Sequence, residues 1–392
     1  MKKTAGVFAA LLLSVSMLAG CGKTADTADD TGAVNDNITA AETQENVKSA
    51  SAKVTIEGTK FMVNGKELWI NGVNTAWQNW NEFDGHMDEA AWEETFKELQ
   101  AQNVNCTRIW VNCCGLNSVK LKTTGEFKEV NEGHWTDLDK LFALAKKYEI
   151  YVMPTLFSFD HCKEPNSGYD RWRTLITTNE YVDALAENYV AEFAKRYGDC
   201  EYIFGVDIMN EPDWVFENAE CGKLPWENLS YFFGKCAAAI HENSDLLVTV
   251  GMGMAKYNSD KYQGNMVSDE MLKTLTGSDS AYLDFYSPHF YAWQLQTFGL
   301  PFDKSPTDYG YDGTKPVVIG ETSNDDDDKV GMTCAEKYKS AYDNGWNGVM
   351  VWMEYRTDGT SGCDSLWYRN DLTAEATKGM YEYVPEKIYP LM

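Results

Sequence analysis

The chain has 392 residues, and its 60 acidic and 34 basic side chains give a formal net charge of −26 at pH 7. This charge argues against binding to nucleic acids or to anionic bilayers, because both are bound through clusters of Lys and Arg. A neutral polymer is compatible with such a surface, and the 13 Trp and 22 Tyr residues are a heavy aromatic load for an ordinary core.

The first residues have the pattern of an export signal. Lys2 and Lys3 form a basic start, residues 7–18 are apolar but too few to span a bilayer comfortably, and Leu-Ala-Gly precedes Cys21. This order resembles the bacterial lipoprotein signal, in which the Cys is lipidated and becomes the new N-terminus. We expect residues 1–21 to be this signal, so that a lipidated Cys21 anchors the protein at the cell membrane, outside the cytoplasm. The alternative is an ordinary secretory peptide with a chance Cys.

Residues 22–52 contain almost no large apolar side chain and are rich in Thr, Ala, Asp, Asn and Ser. Such a segment buries too little surface to offset its ordering entropy, so we predict a disordered tether with a span of roughly 30 Å. The nine cysteines other than Cys21 match no zinc-binding spacing. Cys106, Cys236 and Cys334 lie in apolar periodic segments, which favours buried thiols, although disulfides remain possible outside the cell.

From residue 53 onward, strand and helix patterns alternate. A β-hairpin comes first, with Asn64-Gly65 as its two-residue turn. Eight predicted strands follow: 69–74, 105–110, 150–156, the run that leads to Asn210, 246–250, 283–289, 316–321 and 348–352. Helices are predicted between them: from 88, after a cap at Thr136, 180–197 with a left-handed stop at Gly198, 225–241, 271–275, one that ends at Asn344-Gly345, and a last one within 374–383.

Eight repeats of strand and helix predict a parallel (β/α)₈ barrel of the α/β class, with the hairpin as a plug at its closed end. We expect residues 53–392 to form this one domain. In such barrels the loops after the carboxyl ends of the strands build the active site.

Two predicted strands end in a glutamate. Glu211 follows Asn210 and precedes Pro212, which stops the strand because it lacks a ladder donor. Glu321 ends the run PVVIGE. Each alone reads as a solvated charge or as half of an ion pair, but two carboxylates at one barrel mouth suggest glycoside hydrolysis.

Further residues at the strand ends make the pattern specific. They are Arg108 in NCTRIW, Asn210-Glu211-Pro212, His289 and Tyr291 in SPHFY, Glu321 in VVIGE, and Trp352 in VMVWM. This combination resembles glycoside hydrolase family 5, within the clan of retaining (β/α)₈ glycosidases.

The resemblance implies that Glu211 is the acid/base and Glu321 the nucleophile. Like charges at close range should raise the pKa of Glu211, while Arg108 acts as counter-charge and keeps Glu321 ionised. A purely structural ion pair is the alternative for Arg108.

The resemblance also implies supporting roles at the barrel mouth. Tyr291 would hydrogen-bond Glu321, and Asn210 would bind the sugar 2-hydroxyl. His289 would position Glu211 or Tyr291, unless it is a core residue. Trp352 would form an apolar wall for the reacting sugar, or else belong to the end of the barrel core.

Four further tryptophans follow strands one, two, four and six, and we expect them to line a cleft and stack on sugar rings: Trp77, Trp110, Trp214 and Trp293. Many family members carry a His at the end of strand three. Here His161 lies several residues beyond Thr155, so it is only a possible subsite residue. The acidic run Asp325–Asp328 follows the second glutamate, and it is either a solvated loop or a site for a cation such as Ca²⁺.

The stretches WINGVNTAWQNW, TRIWV and DIMNEPDW are similar to those of mannanases. They favour an endo-β-1,4-mannanase acting on β-mannan or glucomannan, with an endo-β-1,4-glucanase as the alternative. A sugar-binding lipoprotein of a transporter is a third possibility, but it would have two lobes and need no carboxylate pair. The mechanism needs no cofactor or metal, and we expect a monomer whose partners are a polysaccharide and, through the lipid, the membrane.

Overall fold

The computed structural model describes residues 51–352, apart from residues 102, 114 and 324–329. The predicted signal with Cys21, nearly all of the tether, the run Asp325–Asp328 and the last predicted helix therefore lie outside the described residues. Within the described part of the chain, no helix is both long and apolar enough to cross a membrane.

Strands and helices alternate along the described residues. The strands are β1 (Thr55–Glu57), β2 (Lys60–Val63), β3 (Lys66–Leu68), β4 (Ile70–Asn74), β5 (Cys106–Trp110), β6 (Val119–Leu121), β7 (Phe127–Val130), β8 (Tyr151–Ser158), β9 (Val206–Asn210), β10 (Val248–Met252), β11 (Ser287–Phe290), β12 (Ile319–Ser323) and β13 (Gly348–Trp352). The α-helices are α1 (Glu89–Ala101), α2 (Glu132–Tyr148), α3 (Tyr169–Ile176), α4 (Asn179–Leu185), α5 (Ala191–Tyr197), α6 (Asp213–Glu217), α7 (Trp226–His241), α8 (Asp269–Thr276), α9 (Leu295–Phe298), α10 (Pro306–Tyr309) and α11 (Cys334–Asp343).

Eight of these strands close into a parallel barrel. Its order is β4, β5, β8, β9, β10, β11, β12 and β13, and β13 pairs back with β4. The sequences favour this arrangement because the strands are buried on both faces, as in β8, where every residue of YVMPTLFS is buried. The predicted (β/α)₈ barrel is confirmed, and its eight strands follow the chain in the predicted order.

Gly348 allows the barrel to close between its last and first strands. A Cβ at this position would lie 2.3 Å from the Cβ of Ile70 and 2.7 Å from its carbonyl oxygen. Any other residue would push β13 away from β4, so the seam requires a glycine for close approach of the two backbones.

A small antiparallel sheet of β1, β2 and β3 precedes the barrel. Asn64 and Gly65 form the turn between β2 and β3 with positive φ, as their sequence predicts. Phe61 packs edge-on against Phe204 and Phe285, with ring centroids 4.8 and 5.3 Å apart. Because these two rings directly precede β9 and β11, the small sheet lies against the amino ends of barrel strands.

Two predicted helix boundaries are wrong. Helix α2 starts one turn earlier than predicted, because Asn131 is its N-cap and accepts a hydrogen bond from Gly133 N, while Thr136 lies inside the helix. Gly198 has a right-handed conformation and not the predicted left-handed one. Its missing side chain serves packing instead, since a Cβ would lie 2.7 Å from the Cβ of Ser244.

Candidate active site

A buried arginine connects the polar side chains at the carboxyl end of the barrel. Arg108 lies on β5 between β4 and β8, and its side chain is fully buried. Its Nε and Nη2 both donate to Oδ2 of Asp207, at 2.9 and 2.6 Å, while Nη1 donates to Oε1 of Glu321 at 2.6 Å. Nη1 and Nη2 also donate to the side-chain oxygens of Asn74 and Asn210. One guanidinium therefore ties together β4, β9 and β12.

Glu321 on β12 is almost fully buried and holds a fixed orientation. Arg108 contacts Oε1, and the hydroxyl of Tyr291 donates to Oε2 at 2.8 Å. Burial raises the pKa of this carboxyl, and the nearby Glu211 adds to the rise, whereas His289, Arg108 and Tyr291 act to lower it. The predicted Arg108 and Tyr291 contacts to Glu321 are thus present in the structure.

Glu211 directly follows β9 and has a strained backbone. Its φ is +46°, which is uncommon for a residue with a side chain. The pairing of β9 with β10 shifts at this point, and Glu211 N donates to Gly251 O at 2.7 Å. The resulting turn presents the carboxylate above the barrel, where Trp214 Nε1 donates to its Oε2 at 3.0 Å.

His289 on β11 lies between the two glutamates. Its Nδ1 is 2.9 Å from Oε1 of Glu211 and 3.5 Å from Oε1 of Glu321. Burial lowers the pKa of this imidazole to about 4, so the ring is neutral near pH 7. The predicted proximity of His289 to Glu211 is therefore present.

Oxygens of Glu211 and Glu321 and a ring nitrogen of His289 all lie within 4.8 Å of one another. Such a group is compact enough to hold a metal ion, but protein donors already engage both carboxylates. One oxygen of each glutamate thus lies within 4.8 Å of the other, which is compatible with the roughly 5–5.5 Å between the carboxyl groups of retaining glycosidases. The arrangement can attack a carbon with one carboxylate and protonate a leaving oxygen with the other.

The predicted tryptophans separate into two groups at the barrel mouth. Trp77 and Trp110 are buried and pack edge-on against each other and against Trp352, with centroids 5.1 to 6.1 Å apart. Trp214 and Trp293 form a pair with centroids 5.9 Å apart, and Trp293 is 55% exposed. The exposed pair adjoins Glu211 through the Trp214 hydrogen bond, so one open aromatic surface lies beside the carboxylates.

His161 is enclosed in the loop after β8. It is buried, its ring packs edge-on against Trp172 at 4.6 Å, and its Nδ1 contacts Ser158. Burial lowers the pKa of His161 to about 3. These contacts describe a packed, neutral histidine.

Asp207 and Asp213 were not among the predicted site residues. Asp207 lies inside an otherwise apolar strand. Because a buried carboxylate needs a paired charge, its position in the sequence indicates a buried cationic partner, which in the structure is Arg108. Asp213 is fully buried, and its Oδ1 accepts from Gly253 N at 2.9 Å. Burial raises the pKa of Asp213 well above its ordinary value, and the charge of Glu211 adds to the rise.

Glu82 organises the loop between β4 and α1 that carries Trp77 and Trp80. Its Oε1 accepts from the backbone of Gln78 at 2.6 Å and of Asn79 at 3.1 Å, and its Oε2 accepts from Trp92 Nε1. Trp80 packs edge-on against Trp77 at 4.6 Å. Burial raises the pKa of Glu82 to about 7, despite these three donors.

Comparisons with known proteins agree with this geometry. The family model described as "Cellulase (glycosyl hydrolase family 5)" matches residues 62–375. The chain is 25% identical over 335 residues to the mannan endo-1,4-beta-mannosidase of Mytilus edulis, a match that covers 78% of this chain and 89% of the relative. It is 23% identical over 354 residues to the protein of the same name from Cryptopygus antarcticus, covering 82% of this chain and 89% of the relative.

Solved structures show the same barrel. The beta-mannanase of Mytilus edulis superposes with a TM-score of 0.72 at 24% identity, over 85% of this chain and 96% of that one. The beta-1,4-mannanase of Aplysia kurodai gives a TM-score of 0.73 at 22% identity, over 86% of this chain and 99% of that one. At these identities the likeness establishes the fold.

The free energy of unfolding of Glu82→Gln, compared with that of the wild type, should increase as pH rises. With a folded-state pKa near 7 and an unfolded value of 4.5, native Glu82 holds its proton where the unfolded chain has lost it. Wild-type stability from this group is therefore lost between those pH values, by about 3 kcal/mol in total. The neutral Gln lacks this loss, although its amide faces backbone donors and adds a pH-independent cost.

The measurement is the free energy of unfolding in urea at pH 5 and pH 8, with exposed Glu89→Gln on α1 as control. An equal stability difference between wild type and Glu82→Gln at pH 5 and pH 8 would show that burial does not raise the pKa of this carboxyl.

Proposed function

The chain belongs to glycosyl hydrolase family 5, and on this basis we propose that it is a retaining endo-β-1,4-mannanase that hydrolyses β-mannan or glucomannan. The observation that carries the chemistry is the carboxylate pair, in which oxygens of Glu211 and Glu321 lie within 4.8 Å. Support for mannan comes from the relatives in Mytilus edulis and Cryptopygus antarcticus, both named mannan endo-1,4-beta-mannosidase.

In the proposed reaction, Glu321 attacks the anomeric carbon and forms a glycosyl-enzyme, while Glu211 protonates the departing glycosidic oxygen. Glu211 then removes a proton from the water that releases the sugar with retained configuration. The contacts support this division. Arg108 and Tyr291 fix the two oxygens of Glu321, whereas Glu211 is the more exposed carboxylate, with 15% of its side chain accessible.

The supporting residues have proposed roles that follow from their positions. Asn210 is held by Arg108 beside Glu211 and would bind the sugar 2-hydroxyl. Trp214 and the exposed Trp293 would stack on a sugar on the leaving-group side, since Trp214 contacts Glu211. Ring stacking of this kind suits the apolar faces of pyranoses. The group of buried Trp77 and Trp110 and half-buried Trp352 would form the wall behind the reacting sugar.

Endo-β-1,4-glucanase activity is the second candidate, because the description of the matching family model is Cellulase. A sugar-binding protein of a transporter fits less well. Its two lobes would differ from one closed barrel, and binding alone needs no pair of hydrogen-bonded carboxylates.

The product profile tests the substrate. Purified protein should release short β-1,4-manno-oligosaccharides from mannan and glucomannan, and far less from carboxymethylcellulose, as measured by chromatography. Glu321→Ala, prepared in parallel, controls for contaminating hydrolases and should release nothing. If carboxymethylcellulose gave equal or greater release, the proposed activity would be that of a glucanase and not of a mannanase. Monosaccharide as the sole early product would replace endo by exo action.

We also propose that Cys21 anchors the protein to the outer face of the cell membrane through a lipid, with residues 22–52 as a tether. The support is the order of basic, apolar and small residues before Cys21. A single lipid chain binds membranes only weakly, so a stable anchor needs more than one chain.

On expression in a bacterium that processes lipoproteins, the wild type should incorporate labelled palmitate and sediment with membranes. Cys21→Ala should lose the label and leave the membrane fraction with its hydrolytic activity unchanged. Cys200→Ala, in the barrel domain, is the matched control and should remain labelled. An unlabelled wild type would remove the anchor from the proposal.

A further inference from the structure

Two tryptophans of the described residues have exposed side chains. Trp80 is 37% exposed and Trp293 is 55% exposed. Both lie on loops that follow the carboxyl ends of barrel strands, Trp80 after β4 and Trp293 after β11. An exposed ring at this end of a (β/α)₈ barrel is available to a ligand. Trp293 belongs to the leaving-group side in the proposed function, whereas Trp80 has no role in it.

The order of the barrel strands places the two rings on opposite sides of the mouth. In the closed ring of eight strands, β10 is four strands away from β4 in either direction. Trp80 follows β4, whereas Trp214 and Trp293 follow β9 and β11, the two neighbours of β10. A polysaccharide that enters the mouth on the side of β10 and crosses it therefore leaves on the side of β4.

The two carboxylates give this path a direction. Trp214 donates to Glu211, the proposed proton donor to the departing oxygen, so the side of β10 receives the leaving group. Trp352 ends β13, which pairs with the strand of Glu321 on one edge and with β4 on the other. The glycone, which is the part of the substrate that becomes bonded to Glu321, therefore extends toward β4.

Trp80 continues the aromatic surface on the glycone side. The ring of Trp77 lies 6.1 Å from that of Trp352, and Trp80 packs on Trp77 with centroids 4.6 Å apart and an interplanar angle of 87°. In an edge-on contact the edge of one ring meets the face of the other, so Trp77 covers at most one face of Trp80. The aromatic wall proposed for the reacting sugar thus extends outward to an exposed ring.

The loop that carries Trp80 is held in place on both sides of the ring. Glu82 accepts hydrogen bonds from the backbone of Gln78 and Asn79, at 2.6 and 3.1 Å. The side chain of Gln78 in turn donates to Thr95 on α1 at 2.6 Å. A ring on a loop that is already ordered loses little conformational freedom when it binds a ligand, so its contacts contribute more to affinity.

We propose that Trp80 is a specificity-determining residue that stacks on a sugar of the glycone beyond the one that reacts with Glu321. It would favour binding frames in which several sugars lie on the side of β4. An indole face suits the apolar face of a pyranose. This role rests on the proposed function, and together with Trp293 it would hold the polysaccharide on both sides of the cleaved bond, as endo cleavage requires.

The test is the position of cleavage in mannopentaose, hydrolysed in H₂¹⁸O and analysed by mass spectrometry at early times. Water attacks the anomeric carbon of the glycosyl-enzyme, its proton goes to Glu211, and the ester bond to Glu321 breaks. The ¹⁸O therefore marks the new reducing end of the glycone, and the length of the labelled product counts the sugars on the side of Trp80.

In Trp80→Ala the mean length of the labelled product should fall. The ratio of longer to shorter labelled products should decrease about three- to tenfold, as expected for the loss of one stacking contact. Trp80→Phe retains an aromatic ring and should stay close to the wild-type proportions. Trp293→Ala removes the ring on the leaving-group side and should lengthen the labelled product instead. Partial unfolding would lower the amount of every product but not change the proportions, because only folded molecules cleave.

Unchanged proportions in Trp80→Ala, or a longer labelled product, would show that Trp80 does not bind the glycone, and would leave the hydrolase activity itself in place. A wild type that cleaves cellopentaose and not mannopentaose would contradict the mannanase proposal instead. The same labelled-product comparison on cellopentaose would then decide the role of Trp80.

Discussion

The candidate site depends on the buried guanidinium of Arg108. It donates to Asp207 on β9 and to Glu321 on β12, and it also donates to the side-chain oxygens of Asn74 and Asn210. Burying these charges is costly, and the cost is offset only because the planar fork satisfies several acceptors at once. Removing one partner of such a buried pair typically costs about 3–5 kcal/mol. The same contacts that let the barrel hold these charges therefore fix the position of Glu321.

The roles proposed for the two glutamates differ because their surroundings differ. Glu321 is buried, with a donor on each oxygen, so its direction of attack is fixed. Glu211 sits on a left-handed turn where β9 and β10 lose register, and it is the more exposed of the two. A rigid nucleophile and an accessible proton donor are what a two-step retaining mechanism requires. His289 contacts both, which makes its protonation state common to the two steps.

Much of this could be predicted from the sequence, because buried parallel strands read as apolar runs and their ends carry the polar residues. The eight strands followed from that pattern, whereas the contacts of Arg108, His289 and Tyr291 with the glutamates followed from the resemblance to glycoside hydrolase family 5. The role of Asp207 did not, because it depends on Arg108, which lies far away along the chain. The predicted helix boundaries at Thr136 and Gly198 are wrong for a related reason. Asn131 is recognisable as the N-cap of α2 only once the end of β7 is known. Ser244 explains the glycine at position 198 only once its packing against that position is known.

The most direct test of the central claim assigns the roles of the two carboxylates separately. Glu321→Ala and Glu211→Ala would be incubated with an activated aryl β-mannobioside and azide, and the product anomers assigned by NMR. Azide should enter the space of the missing nucleophile in Glu321→Ala and give the α-glycosyl azide. In Glu211→Ala the glycosyl-enzyme should still form, and azide should release it as the β-glycosyl azide. Reversed anomers would exchange the two roles, and inverted products from the wild type would contradict the retaining mechanism itself.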